Sequence, residues 1–276
     1  MTRNDTMYVI RFNYFHRVMH VIVMVSFLGL AVTGLPLRYS DSLWAHYLVN
    51  FIGGFESAGH LHRFFALITF GYFIVHLIYL FVFFKFKTSH SFLSFVAGPE
   101  SMVPGLKDLK DLGNNVKWFI GLGPKPQFDR WTYWEKFDYW AVFWGVAMIG
   151  VSGLFLWFPT FFVYFFPGWV LNVATIVHSD EALLATGFIF IFHFIHAHLR
   201  GEKFPIDSVI FTGKVSEEEF RKERPGEFER LKQEGKLHEV LAKQPSLWFE
   251  VISSIIGFVV LAVGILLIIL VIGTFF

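Results

Sequence analysis

Apolar residues fall into five long runs, set apart by polar or Gly/Pro-broken stretches. The runs cover about residues 17–37, 60–84, 137–158, 178–200 and 246–276. A helix rises about 1.5 Å per residue, so about 20 apolar residues reach across a bilayer's hydrocarbon core. Each run therefore predicts a membrane-spanning helix. Gly34 with Pro36 marks the end of the first, Lys85 and Lys87 stop the second, and Pro159 ends the third. Residues 160–177 are apolar and aromatic but broken at Pro167-Gly168, which predicts an interfacial or half-inserted turn.

The stretches between the runs differ in charge. Residues 38–59 carry Gly53-Gly54 and little charge. Residues 85–137 hold Pro99, Pro104, Pro124 and Pro126, and predict a connection along the surface with a short interfacial helix. Residues 201–244 are rich in Glu, Lys and Arg and predict a solvated helical hairpin broken at Pro225-Gly226. Lys and Arg number three up to Arg17, eight in 85–137 and ten in the segment that opens at Arg200. Five spans place all three basic segments on one side. Cytoplasmic loops are enriched in Lys and Arg, so the N-terminus is expected in the cytoplasm and the C-terminus in the periplasm.

Composition narrows the class. The 276 residues are 55% apolar and only 16% charged, with a mean hydropathy of +0.54, too hydrophobic for a soluble domain of this length. A net charge of +1 gives no case for nucleic acid. No cleavable signal peptide is expected, because the first apolar run is long and begins with charges and histidines. There is no cysteine. That excludes disulfides, thiolate-held iron–sulfur clusters and haem attached through C-x-x-C-H. A redox centre here needs other ligands, and histidine, at 12 residues, is the stock.

The histidines sort by depth. His178 and His193 are 15 residues apart on the fourth run, about 22 Å of helical rise. His62 and His76 are 14 apart on the second. The expected topology puts His62 level with His178 near the outer face, and His76 level with His193 further in. The angular offset is about 40° in one helix and about 60° in the other. Facing imidazoles at two levels are what two stacked haems need, and Gly71 and Gly187, near the midpoints, would let a porphyrin edge approach the backbone. The plain alternative is hydrogen-bonded polar residues in a bundle. Toward the cytoplasm there are more histidines than one haem uses. His20 could replace His76 opposite His193, or pair with His196 or His198 on a third haem. Alternatively the extra imidazoles, with Glu135 and Asp138, line a quinone site and its proton path. His16 reads as interfacial, and His46, His90 and His238 as solvated loop residues. Arg63, Arg17 and Arg200 adjoin histidines and suit either haem propionates or helix-end anchoring. Asp180 and Glu181 suit an outer quinone site or an electropositive partner.

Three segments carry a family resemblance. FHRVMHVIVMVSFLGLAVTGLPL resembles the first helix of formate dehydrogenase gamma subunits and nickel-iron hydrogenase cytochrome b subunits, and WEKFDYWAVFWGVAMIGVSGLFLWFP resembles their third. AGHLHRFFALI and the helix of His178 match the second and fourth. The resemblance covers about residues 10–215 and is strongest to those encoded with multihaem c-type cytochromes. It implies a di-haem b anchor passing electrons between a membrane quinone and a periplasmic redox subunit. It also implies His62 and His178 as ligands of the periplasm-side haem, with His20 and His193 for the cytoplasm-side one. Two features depart from the pattern: the fourth-helix interval is 15 where 14 is usual, which leaves His196 as an alternative to His193, and His76 has no counterpart in the gamma type, which leaves the inner haem's ligands and the haem count open.

The expectation is therefore an all-α polytopic membrane protein, a four-helix haem-binding bundle plus a fifth, last helix. Residues 1–215 would form the cytochrome b domain, 216–245 a charged cytoplasmic segment and 246–276 the last span. The cofactors would be two or three haems b, with menaquinone or ubiquinone as substrate. The partner would be a periplasmic multihaem c-type cytochrome or an iron–sulfur dehydrogenase subunit, in a bacterial inner membrane. The rival classes are a proton- or metal-handling transporter and a haem-free anchor. Against the transporter, the runs show no embedded acidic pairs and no inverted repeat.

Overall fold

The computed structural model describes residues 7–87, 92–200, 203 and 206–276. A short strand β1 (Tyr8–Ile10) precedes α1 (Tyr14–Arg38), and α2 (Leu43–Ile52) leads into α3 (Phe55–Lys87). Next come α4 (Phe92–Val96), α5 (Leu106–Phe119), α6 (Tyr133–Trp157), α7 (Pro159–Phe165) and α8 (Trp169–Ala197). The chain continues through α9 (Val209–Thr212), β2 (Lys214–Ser216), α10 (Glu217–Glu223), α11 (Pro225–Gln233) and β3 (Leu241–Ala242) to α12 (Leu247–Gly273). The fold is all-α and polytopic: α1, α3, α6, α8 and α12 are long and apolar enough to cross a membrane.

Several boundaries differ from expectation. The fourth spanning helix starts at Trp169, not at His178. Pro167 and Gly168 confine the break to a few residues, and the apolar run after them winds at once. His178 therefore sits nine residues inside α8, about 13 Å from its start. Residues 159–165 form the separate α7, opened by Pro159 at a position where the missing amide hydrogen costs nothing. Residues 38–59 are not a plain loop. They hold α2, which ends where Gly53 takes a left-handed φ of 102° and its amide returns to the helix's last carbonyls. His46 consequently lies on a helix, though exposed; His90 lies outside the described residues.

The chain divides into two compact units. One comprises Met1–Arg17, Ile78–Val142 and Val209–Glu250. Within it β1 is the middle strand of a small antiparallel sheet, with Val9 opposite Val215 and Leu241. Val9, Val215, Phe220, Phe228 and Leu231 form its core. The charged 201–244 stretch is thus not a fully solvated hairpin. α10 and α11 do meet at Arg224-Pro225, but each turns an aromatic into this core. Beside it Glu227, 2% exposed, receives Arg11 at 2.6 Å and Arg130 at 2.8 Å, and Arg224 reaches Glu135 at 2.8 Å. Burial, then the neighbouring Arg224, pulls Arg11 down to about 10, while Glu227 and Glu135 work the other way. Its guanidinium stays charged at neutral pH.

The second unit comprises Val18–Leu77, Phe143–Ser208 and Val251–Phe276. Here α12 packs on α1 through Ala31, Leu35, Leu267 and Val271, and on α8 through Phe190, Phe194, Val260 and Leu261. The ring of Phe190 presses onto Gly264, where a Cβ would overlap it. Burying such side chains is worth about 1.5–3 kcal/mol each in water. Inside a bilayer that drive is absent, and close fit of this kind holds helices together instead.

Candidate functional site

Each candidate ligand helix in the second unit faces a glycine-bearing neighbour. His62, on α3, meets α1. Its Nδ1 lies 3.0 Å from Thr33 Oγ1, and a Cβ at Gly34 would come within 2.8 Å of its ring. Thr33 Oγ1 donates its own hydrogen to Gly29 O at 2.6 Å, so its oxygen is left to accept from the imidazole N–H. His178, on α8, meets α6 in the same way. Its Nδ1 lies 2.9 Å from Ile149 O, and a Cβ at Gly153 would come within 2.9 Å of its ring. Ser152 Oγ donates to Met148 O at 2.5 Å, the counterpart of the Thr33 bond.

The two cradles share a sequence. Val-Thr-Gly-Leu-Pro-Leu at 32–37 in α1 answers Val-Ser-Gly-Leu-Phe-Leu at 151–156 in α6. Sequence reasoning used Gly34 only as a helix end and passed over Thr33, Gly153 and the Ile149 carbonyl. The repeated hexapeptide was the signal that could have found them. A glycine lets each ring lie against helix backbone, and an oxygen on the same helix (adjacent to the glycine at Thr33, one turn before it at Ile149) fixes the ring's N–H.

The imidazoles of His62 and His178 face each other, ring centroids 6.1 Å apart with planes at 80°. Both Nδ1 atoms are engaged, which leaves Nε2 as the remaining ligand atom on each ring. Metal–nitrogen bonds of about 2.0–2.1 Å on opposite sides of one ion bring two imidazole centroids to about this separation. The residues therefore fit a six-coordinate iron held between two histidines. Gly71 and Gly187 have open space around them: a Cβ on either would meet nothing within 4 Å.

The other level is built differently. His193 closes a π-wound turn, Phe188–His193, within α8. Such a turn takes up one extra residue. The 15-residue interval from His178 thus carries the phase of 14, the interval of His62 and His76. His193 lies 5.8 Å from the His196 ring and 5.7 Å from the His198 ring. His20 is in electrostatic range of His193 and His198. His20 Nδ1 and His198 Nδ1 are shielded from solvent and have no hydrogen-bond partner. Leaving such an atom unsatisfied costs about 1–3 kcal/mol, so it points to a group that would complete it. The ring beside His76 is Phe143, centroids 6.0 Å apart.

The remaining candidates are placed as follows. The Arg63 guanidinium lies over the Trp157 ring, 5.9 Å from its centroid. In the first unit, Arg17 donates through Nε to Phe211 O and lies 5.6 Å from the Phe249 centroid. Arg200 is exposed at the end of the α8 segment. Asp180 is bound by Arg38 at 2.7 Å and helps line a cleft of about 540 Å³ with Tyr39, Thr175 and Ser179. Glu181 accepts from Trp144 Nε1 at 3.4 Å.

No protein-family model matches the chain. It is similar to the cytochrome b556 subunit of nitrate-inducible formate dehydrogenase from Escherichia coli K12, and to the same subunit from Escherichia coli O157:H7 and Shigella flexneri. Each is 23% identical over 218 residues, which is 79% of this chain and 88% of the relative. The likeness is thus to a cytochrome b subunit of a formate dehydrogenase. With five spanning helices, it supports a multi-pass protein of a bacterial inner membrane.

Proposed function

We propose that the chain is a b-type cytochrome subunit that carries electrons between the membrane quinone pool and a periplasmic redox partner. One observation carries this reading: His62 and His178 face each other at 6.1 Å with both Nδ1 atoms already tied to neighbouring helices. A six-coordinate haem iron, when bound, cycles one electron without taking substrate.

His62 and His178 hold the iron on the periplasmic side, and Thr33 and Ile149 O fix their rings. His20 and His193 hold the second, where the orphaned His20 Nδ1 supports ligation. The π-wound turn favours His193 over His196 for that role, because it restores the interval of 14. Arg63, Arg17 and Arg200 offer charge at the helix ends for propionates. His76, His196 and His198 line the cytoplasmic level and exchange protons with menaquinone or ubiquinone. The basic segments around Arg11, residues 85–137 and residues 200–244 support an N-terminus in the cytoplasm and a last residue in the periplasm. The partner is a dehydrogenase or iron–sulfur subunit, or a multihaem c-type cytochrome.

The test is a reduced-minus-oxidised spectrum of the purified full chain with a haem-to-protein ratio. A b-type α-band with two or three haems per chain supports the reading. A chain that folds and spans the membrane without haem sinks it.

A further inference from the structure

α5 is amphipathic, and its apolar side is left exposed. Two of its polar residues face inward: Asp108 is 8% and Asn115 9% exposed. Its apolar residues face outward: Leu106 is 79%, Leu109 66% and Phe119 73% exposed, with Leu112 and Val116 between them. At 100° per residue, Leu109, Leu112, Val116 and Phe119 form one strip, and Lys110 and Lys117 run along its border. In water such a surface would collapse or aggregate.

The buried side fixes where the strip lies. Asn115 Nδ2 donates to Tyr133 OH at 2.7 Å, and Lys136 Nζ reaches Asp108 Oδ2 at 2.9 Å. Tyr133 and Lys136 belong to the first turn of α6, a membrane-spanning helix. α5 is thus tied to the depth at which α6 emerges. Two tryptophans at this end of α6 hold the chain that leads into α5. Trp131 and Trp140 donate to the carbonyls of Glu100 and Met102, each at 3.0 Å, in the chain leading into α5. Indole rings are enriched where hydrocarbon meets headgroups. An apolar strip at that depth, bordered by lysines, matches the surface of a leaflet that carries anionic phosphate.

We propose that α5 lies flat in the headgroup–acyl boundary, with Leu109, Leu112 and Val116 immersed and Lys110 and Lys117 bound to the phosphates of anionic phospholipids. The reading does not depend on haem or quinone.

The chain has no cysteine, so a single introduced one takes a spin label cleanly. Leu109→Cys, Val116→Cys and Asn114→Cys are labelled in the full chain, reconstituted in nanodiscs with phosphatidylglycerol. Labels at 109 and 116 are expected to collide with oxygen and be shielded from a water-soluble nickel reagent. The label at 114, on the opposite face, is expected to meet the nickel reagent. Equal nickel access at all three overturns the immersion, as does shielding that appears only when a protein partner is added. For the lysines, lipid co-purifying from mixed phosphatidylglycerol–phosphatidylcholine membranes is compared between the wild type and a Lys110→Gln/Lys117→Gln variant. Enrichment in the anionic lipid is expected to fall about fivefold per lysine removed. An unchanged ratio overturns the headgroup contact.

Discussion

Within one bundle, the two levels of histidine are held in opposite ways. At the level of His178 each ring is clamped: a glycine beneath it, an oxygen on its Nδ1, and a facing imidazole at 6.1 Å. At the level of His193 the rings of His193, His196 and His198 crowd together, and the solvent-shielded Nδ1 atoms of His20 and His198 lack hydrogen-bond partners. Outer-shell partners that orient a ligand ring are expected to raise its basicity and fix its tautomer. The first level is thus oriented by neighbouring helices, whereas at the second the Nδ1 atoms of His20 and His198 are left for a bound group to satisfy. A site of the second kind loses more order when emptied and accommodates ligand exchange more readily.

The largest effects test whether the levels are separate at all. His178→Ala is expected to remove one haem and leave the other, read as half the α-band amplitude and a single remaining redox transition. His193→Ala is expected to do the converse, and His196→Ala to leave both haems in place. Loss of both haems in either single-site variant would mean that the two levels assemble as one unit.

A glycine pair gives the next contrast. Gly153→Ala puts a methyl within 2.9 Å of the His178 ring and is expected to lower occupancy of that level severalfold. Gly187→Ala meets nothing within 4 Å, so the polypeptide tolerates it. If a porphyrin fills the space beside Gly187, its haem content nevertheless drops while thermal unfolding of the haem-free protein stays unchanged. Full haem content in Gly187→Ala would place the porphyrin elsewhere.

The smallest effect concerns the clamp. Thr33→Val keeps the shape but removes the oxygen beside His62 Nδ1. Haem retention at the His178 level is expected to weaken about tenfold, judged by transfer to apomyoglobin, with the other level unaffected. An equal loss at both levels would undo the contrast drawn above.

Much of this was legible in the chain. Five spans followed from apolar runs, and the pairing of His62 with His178 from matched positions on two of them. The clamp was harder to see. Imidazole partners on neighbouring helices are a threonine hydroxyl and a main-chain carbonyl, and a carbonyl has no letter in the sequence. The start of α8 was missed because an aromatic run ahead of Pro167 reads like the run after it. The π-wound turn was illegible for a related reason: Phe188–His193 has the composition of any apolar helix, and only the altered interval betrays it. The small sheet escaped because its strands are two or three residues long, below the length at which alternation can be recognised.

The ring of Phe190 against Gly264 has a hereditary side. A residue inserted into a spanning helix turns every side chain beyond it to a new compass bearing, which for a ligand is lethal. Swelling one turn localises the damage, but the swollen turn must lodge somewhere, and here it lodges against the last helix. In this chain the swollen turn and the last helix are thus fitted to one another. Chains of this kind that keep 15 residues between the two histidines of α8 should carry a small residue facing that turn on an added helix. Those with 14 are free to do without it.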